Sequence, residues 1–293
     1  MVKTKVIEES DEKIAILLSD TDRAFVNAIR RTLMSDTPKM AIDTVRFEMG
    51  TIEQDGEVWE TNGPLPDEVV AQRLAMIPIP TKHDEFHFQD SCPACAELVV
   101  EDRGCPQCTM IYTCKAFGTE DGRIVTAGDM SFLGAGGSIL EKFHSIPITR
   151  LSRGQMIEFY ATAIMGRGRD HAKWSPVCGT TFTPRQVGVI NKPRKAKILW
   201  DLNLTITAKD FSSGRLEDIG KVAQLIDDLH HVGEGTEESR EFKDAITLEE
   251  VPGEFILSFE SDGSMTARVA FQKAIQELSG RFGELEEDLV TVL

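Results

Sequence analysis

Apolar and polar positions alternate over residues 3 to 18, with Val6 and Ile7 before the acidic break Glu8-Glu9-Ser10-Asp11 and Ile14, Ile16 and Leu18 after it. The pattern predicts a two-stranded hairpin. From Asp20 the period lengthens: Ala24, Phe25, Ala28, Ile29, Thr32 and Leu33 recur at three- and four-residue spacing, with Ser19 and Asp22 available as caps and Pro38 ending the run. This predicts a helix over residues 21 to 36. Val45, Phe47 and Met49 then alternate towards a turn at Asp55-Gly56, with Val58 beyond it, as a second hairpin does. Pro66, Asp67 and Glu68 mark a helix start whose buried side is Val69, Val70, Leu74 and Met76, and Pro78 and Pro80 stop it.

Short strands are expected from Ile111 to Phe132 around Asp121-Gly122, and further strands over 146–151 and 156–164. Residues 185 to 197 hold Arg185, Lys192, Arg194, Lys195 and Lys197 without an acid, and read as a solvated basic linker. Ile198, Trp200, Leu202, Leu204 and Ile206 predict a strand, and Leu216 to His230 a helix. Phe255, Leu257 and Phe259 mark a last strand, Asp262-Gly263 a turn, and Ser264 a cap. Beyond it Phe271, Ile275, Leu278, Phe282, Leu285 and Leu289 recur close to a heptad seam, longer than one small core needs, so part of it is expected to be an interface. Gly280 and Gly283 are expected to weaken that helix, or break it.

A chain of 293 residues that is 41% apolar can bury a sizeable core. Its net charge of −16 argues against a surface given over to nucleic acid, because phosphate binding needs a basic stripe. No run is apolar enough for a membrane span and the first residues lack a signal-peptide pattern, so a cytoplasmic protein is expected.

Six cysteines in such a protein point to metal rather than disulfides. Cys92, Cys95, Cys105 and Cys108 form two C-x2-C pairs separated by nine residues, enough for a closed tetrahedral thiolate site that is structural rather than catalytic. Zinc is the expected ion, with an iron–sulfur cluster or free thiols as alternatives. Cys114, His83 and His87 are possible substitute ligands but more simply bystanders, and Cys178 reads as a buried apolar residue. From 179 onward there is no cysteine, which excludes a cluster there. His230-His231 beside the acidic stretch 234 to 241 reads as loop histidines.

Two loops invite chemistry. The glycine bend at 134 to 137 lacks the lysine and hydroxyl of a phosphate-binding loop. The twelve-residue string Gly166-Arg167-Gly168-Arg169-Asp170-His171-Ala172-Lys173-Trp174-Ser175-Pro176-Val177 combines flexible backbone, positive charge and a large aromatic anchor. It suits docking to a protein; contact with a nucleic acid is the second reading, and an Asp170-His171 catalytic pair lacks a partner nucleophile or metal. On the first helix Arg23, Asn27, Arg30 and Arg31 are either a solvated face or donors for carboxylates and carbonyls.

Asn27-Ala28-Ile29-Arg30-Arg31-Thr32-Leu33 with the Pro38-to-Ile42 turn resembles the first helix of the archaeal RNA polymerase D-subunit family, which is similar to the bacterial alpha N-terminal domain and the third-largest eukaryotic subunit. Arg73-Leu74 before an Ile-Pro turn and the string from Gly166 to Val177 resemble the same family. Arg169 stands where many relatives carry lysine.

The resemblance implies an α+β fold: a dimerisation domain from residues 1–45 and 253–293, an inserted β-rich domain over 46–187 carrying the cysteine knuckle, and a small α+β insert over 188–252 where some relatives carry a ferredoxin-like domain. It implies a non-catalytic scaffold that pairs with an alpha-like small subunit, L, through residues such as Phe25, Ile29, Leu33, Phe271, Ile275, Leu278 and Phe282. Arg30, Arg31, Arg73, Arg167, Arg169, His171, Lys173 and Trp174 would dock the large catalytic subunits, with small subunits N and P also in contact. DNA would be met only through the complex. No carboxylate cluster for catalytic Mg²⁺ is found, so no catalytic residue is assigned. A zinc-ribbon nucleic-acid-binding protein and an iron–sulfur redox protein are the alternatives.

Overall fold

A computed structural model of the protein describes residues 2–54, 56–134, 136–200, 205–231 and 244–292. The chain forms two compact units, each discontinuous: Met1–Ile7, Ala15–Asn27 and Thr181–Ser258 in one, and Glu8–Ile14, Ala28–Thr180 and Phe259–Leu293 in the other. The opening hairpin is β1 (Lys3–Glu9) and β2 (Lys13–Ser19), as its alternation predicts.

Helix α1 (Arg23–Ser35) follows. Asp22 caps it, accepting the Phe25 N–H at 2.8 Å, so Asp22 rather than Ser19 satisfies an unpaired helix-end donor. Val26, Ile29 and Leu33 are its buried stripe, whereas Ala24 is exposed and Phe25 and Ala28 are half-buried. Thr32 is buried with that stripe, so the buried face is rotated from Phe25 and Ala28 towards Val26, which fits the same period.

The larger unit centres on the sheet β3-β10-β6-β8, made of β3 (Lys39–Phe47), β6 (Thr109–Phe117), β8 (Ser131–Phe132) and β10 (Met156–Gly166). β10 pairs antiparallel with β3 from Phe159↔Phe47 to Gly166↔Lys39 and with β6 from Met156↔Phe117 to Ile164↔Thr109. Phe47 and Phe159 meet edge-to-face at 6.0 Å, and Phe159 is buried with Met40, Ile42, Tyr112, Ala161 and Ala163. The expected second hairpin exists as β4 (Thr51–Gln54) and β5 (Glu57–Glu60), but Val45 and Phe47 belong to β3 and its partner is β10. Asp55 lies outside the described residues.

Helix α2 (Asp67–Ala75) starts after Pro66 and buries Val70 and Leu74; Val69 and Met76, expected inside, are exposed. Strands β7 (Arg123–Thr126) and β9 (Pro147–Leu151) pair with each other rather than with their sequence neighbours.

Strand β11 (Val177–Ile190) has no clear sequence signal, because Gly179 and Pro184 interrupt its apolar pattern; it joins the sheet β1-β2-β13-β11-β12 with β12 (Arg215–Leu216) and β13 (Ile246–Ser261). Cys178 corrects the expectation of a buried thiol: it follows buried Val177 on the opposite side of β11 and is exposed.

The basic segment is no linker. Arg185 lies in β11 and pairs with Glu254 at 2.5 Å, while Pro193–Trp200 forms helix α3. Pro193 opens that helix, where its missing N–H is harmless. Ala196 is buried and Trp200, four residues on, packs its ring 5.7 Å from Phe211, so residues up to Trp200 obey a helical period, correcting the strand expected from Ile198 to Ile206. Leu202 and Leu204 lie outside the described residues. Helix α4 (Ile219–His231) starts three residues later than expected, because Leu216 belongs to β12, and supplies Val222 and Leu225 to the same small core as Ile206 and Leu216. His230 is thus helical rather than in a loop, and the acidic stretch 234 to 241 lies outside the described residues.

The last helix, α5 (Ala267–Val292), is continuous through Gly280 and Gly283, so neither breaks it. Thr266 caps it, accepting the Val269 N–H at 3.3 Å, while Ser264 turns away to donate to Asp262 at 2.6 Å. Ala267, Ala270 and Ala274 are its buried row, and Phe271 stacks on Phe259 at 6.4 Å. Among the described residues no helix is long and apolar enough to cross a membrane.

Candidate metal centre and interface residues

The two cysteine pairs fold into matching turns. Cys92 O accepts the N–H groups of Cys95 and Ala96 at 3.0 and 2.9 Å, and Cys105 O accepts those of Cys108 and Thr109 at 3.0 Å each. A turn of this kind aims the sulfurs of residues i and i+3 the same way. The sulfurs of Cys92 and Cys105 lie 3.5 Å apart, Cys105 and Cys108 3.7 Å, and Cys95 and Cys108 3.9 Å, with all four within 4.8 Å of one another. Four sulfurs at about 2.3 Å from a central ion form a tetrahedron with edges of about 3.8 Å, so the set fits one tetrahedral ion. It is too tight to enclose a multi-iron cluster.

The surroundings act on the thiols in opposite directions. The N–H groups of Gly104 and Cys105 bond the Cys95 sulfur and pull its thiol down to about 6. The N–H of Gln107 draws Cys105 down, but burial and the neighbouring sulfurs of Cys95 and Cys92 outweigh it and raise that thiol. Burial, then the sulfurs of Cys105 and Cys95, push Cys108 up. Crowded thiols that raise one another are stabilised when a cation takes their charge. The Thr109 hydroxyl donates to Gly104 O and Cys105 O at 3.1 and 3.0 Å and fixes the second turn.

The bystander residues stand apart. His83 is hydrogen-bonded through Nε2 to Pro38 O at 2.9 Å, and Cys114 is buried in the main core, where burial pushes its thiol up to about 12. His87 uses its backbone N–H on Gln107 O at 2.9 Å, which ties the preceding segment to the second turn.

The string from Gly166 to Val177, expected to dock a partner, makes internal contacts through Arg167, Lys173 and Trp174. Arg167 donates to Asp36 O, pairs with Glu277 at 2.5 Å and lies over the Phe88 ring at 4.9 Å. Lys173 is buried and pairs with Asp43 at 2.6 Å, and its ammonium sits 4.2 Å from the Trp174 ring. Trp174 donates Nε1–H to Ile164 O at 3.2 Å and covers Gly166, where an added Cβ would lie 2.3 Å from the indole. Arg73 is exposed but donates to Ile148 O at 2.9 Å.

Arg31, Arg169 and His171 remain exposed. Arg30, half-buried, donates to the Met34 sulfur at 3.3 Å. Arg31, Arg169 and Arg281 line an open groove of about 350 Å³ with Ala28, Thr32, Ser35, Asp36 and Leu278.

The apolar candidates divide in the same way. Ile29 and Leu33, expected at the pairing surface, are buried within the chain and anchor α1. Phe25, Phe271 and Leu278 are half-buried. Ile275 is exposed, as are Phe282, Leu285 and Leu289 further along α5. Such a file of large apolar side chains on one helix contributes nothing to the core of the chain itself. Arg281, which the apolar pattern passes over, reaches Asp36; its place between Gly280 and Phe282 carries no sequence signal.

The sequence profile described as the RNA polymerase Rpb3/Rpb11 dimerisation domain matches residues 15–282. Among known proteins, the chain is similar to DNA-directed RNA polymerase subunit Rpo3 of Picrophilus torridus, 33% identical over 285 residues that cover 97% of this chain and 98% of the relative. It is 30% identical over 293 residues to the subunit of the same name from Thermoplasma volcanium, covering 98% and 99%. With DNA-directed RNA polymerase II subunit rpb3 of Dictyostelium discoideum it shares 31% identity over 201 residues, 65% of this chain and 60% of the relative.

Proposed function

The chain belongs to the RNA polymerase Rpb3/Rpb11 dimerisation-domain family, and from that premise we infer that it is a non-catalytic assembly subunit of a DNA-directed RNA polymerase. The observation that carries the reading is the exposed apolar file Ile275, Phe282, Leu285 and Leu289 on α5, in a chain that matches a dimerisation family over most of its length. Burying that file against a partner helix supplies the driving force of pairing. The partner is an alpha-like small subunit, L, and the half-buried Phe25, Phe271 and Leu278 also meet it. Residues 1–45 and 253–293 act as the dimerisation domain, 46–187 as the inserted domain, and 188–252 as an insert without a cluster.

Arg31, Arg169 and His171, which are exposed, meet a large catalytic subunit, with subunits N and P completing the assembly in the cytoplasm. The nucleic-acid reading loses support because Arg167 and Lys173 are committed to Glu277 and Asp43. Cys92, Cys95, Cys105 and Cys108 hold one zinc ion as a structural centre; when bound it neutralises the sulfur charge and cross-links the two turns.

Affinity capture of the full chain from its own cells, followed by mass spectrometry, tests the assembly reading. Recovery of one small alpha-like protein with two very large chains is expected. Recovery of the chain alone, or with nucleic acid and no large chains, would overturn it.

A further inference from the structure

Between the cysteine turns the chain runs Glu97-Leu98-Val99-Val100-Glu101-Asp102. Leu98, Val99 and Val100 are 44%, 62% and 70% exposed, three consecutive apolar side chains in water. Their backbone is tied down. The N–H groups of Leu98, Asp102 and Arg103 bond the carbonyls of Cys95, Val99 and Val100 at 3.0, 3.0 and 3.3 Å. The Arg103 guanidinium donates to Leu98 O and Ala96 O at 3.0 and 3.3 Å, so its charge is tied to the backbone of the turn. The exposed charges around the projection are the carboxylates of Glu97, Glu101 and Asp102.

We propose that Leu98, Val99 and Val100 form a rigid docking knob that seats in an apolar socket rimmed by lysine or arginine on another subunit of the polymerase. The proposal rests on the metal reading above, since an ion shared by both turns fixes both ends of the knob before it docks and so lowers the ordering cost of binding. Charge selects the partner. Three carboxylates repel the phosphates of nucleic acids and the headgroups of anionic lipids, and they complement a basic rim. The apolar run selects the kind of contact: surfaces that stay covered in a permanent complex are more apolar than those of transient encounters.

A photo-crosslinking amino acid at Val99 of the full chain, assembled into the polymerase in its own cells, tests this after purification and irradiation of the whole complex. The expected crosslink is to one other subunit, at a segment where apolar residues are flanked by lysine or arginine, with its yield cut at least tenfold by Glu101→Lys with Asp102→Lys. Absence of a crosslink, a crosslink to nucleic acid or to an acidic segment, or a yield indifferent to charge reversal would overturn it. Zinc measured on the same preparation separates the two readings. Zinc present without the crosslink sinks the knob alone, and the crosslink without zinc sinks the metal reading and leaves the knob.

Discussion

Arg281 reaches across to the buried carboxylate of Asp36, Nη1 to Oδ2 at 2.8 Å, and so joins the last helix to the end of the first. Asp36 follows the C-terminus of α1, where the helix dipole disfavours a negative charge. Arg281, Arg169 at 3.7 Å and Arg167 on its backbone carbonyl offset that cost. Asp36→Ala should lower the free energy of unfolding by about 1–3 kcal/mol, the range for losing hydrogen bonds to a charged group. Urea denaturation measures it, and an unchanged midpoint would show that the cluster is only a surface contact.

The Trp174 indole occupies the space beside Gly166 that a side chain would need. Gly166→Ala should displace the ring, costing about 1–3 kcal/mol as overpacking does, with a shift in tryptophan emission. Gly280→Ala should behave in the opposite sense, because nothing lies near its added methyl and alanine favours the helix.

Cys108→Ser should abolish stoichiometric zinc and lower the melting temperature, since the buried Cys108 sulfur lies within 4 Å of two others. Metal analysis with a thermal melt checks both. Cys114→Ser should leave zinc content at wild-type level.

Phe282→Glu should leave the melting temperature of the isolated chain within a degree or two and weaken heterodimer formation by tenfold or more, because its side chain is 59% exposed. Ile29→Ala should do the reverse at the level of the isolated chain and cost about 2–5 kcal/mol of stability, as a cavity in a packed core does. Calorimetry of the chain, together with titration against the small partner, separates the two effects.

His83 is held below its ordinary value by burial, only partly offset by its bond to Pro38 O. In the unfolded chain it protonates near 6.5, so as pH falls below that value the unfolded state binds the extra proton and stability is lost. His83→Gln should flatten that slope below pH 6.5. A stability profile for which the substitution changes nothing would place the effect elsewhere.

Whatever depends on local period and on residue type was legible along the chain. The 3.6-residue repeat located α1, α2, α4 and α5, alternation located β1, β2, β9 and β10, and the spacing of Cys92, Cys95, Cys105 and Cys108 named a metal set that the structure brings together. The order of Asn27 to Leu33 and Gly166 to Val177 pointed to the family to which the chain belongs.

Pairing between distant segments was not legible there. β3 pairs with β10 rather than with the next hairpin, and Ile29 faces inward while Phe282 faces out, although both fit an apolar period. Arg167 and Lys173 read as free charge in the string that carries them, yet Glu277 and Asp43, more than a hundred residues away, neutralise them. The reason is physical: a period fixes which side chains share a face, but which face is covered, and which charge is paired, depends on the segments that long-range packing brings against it.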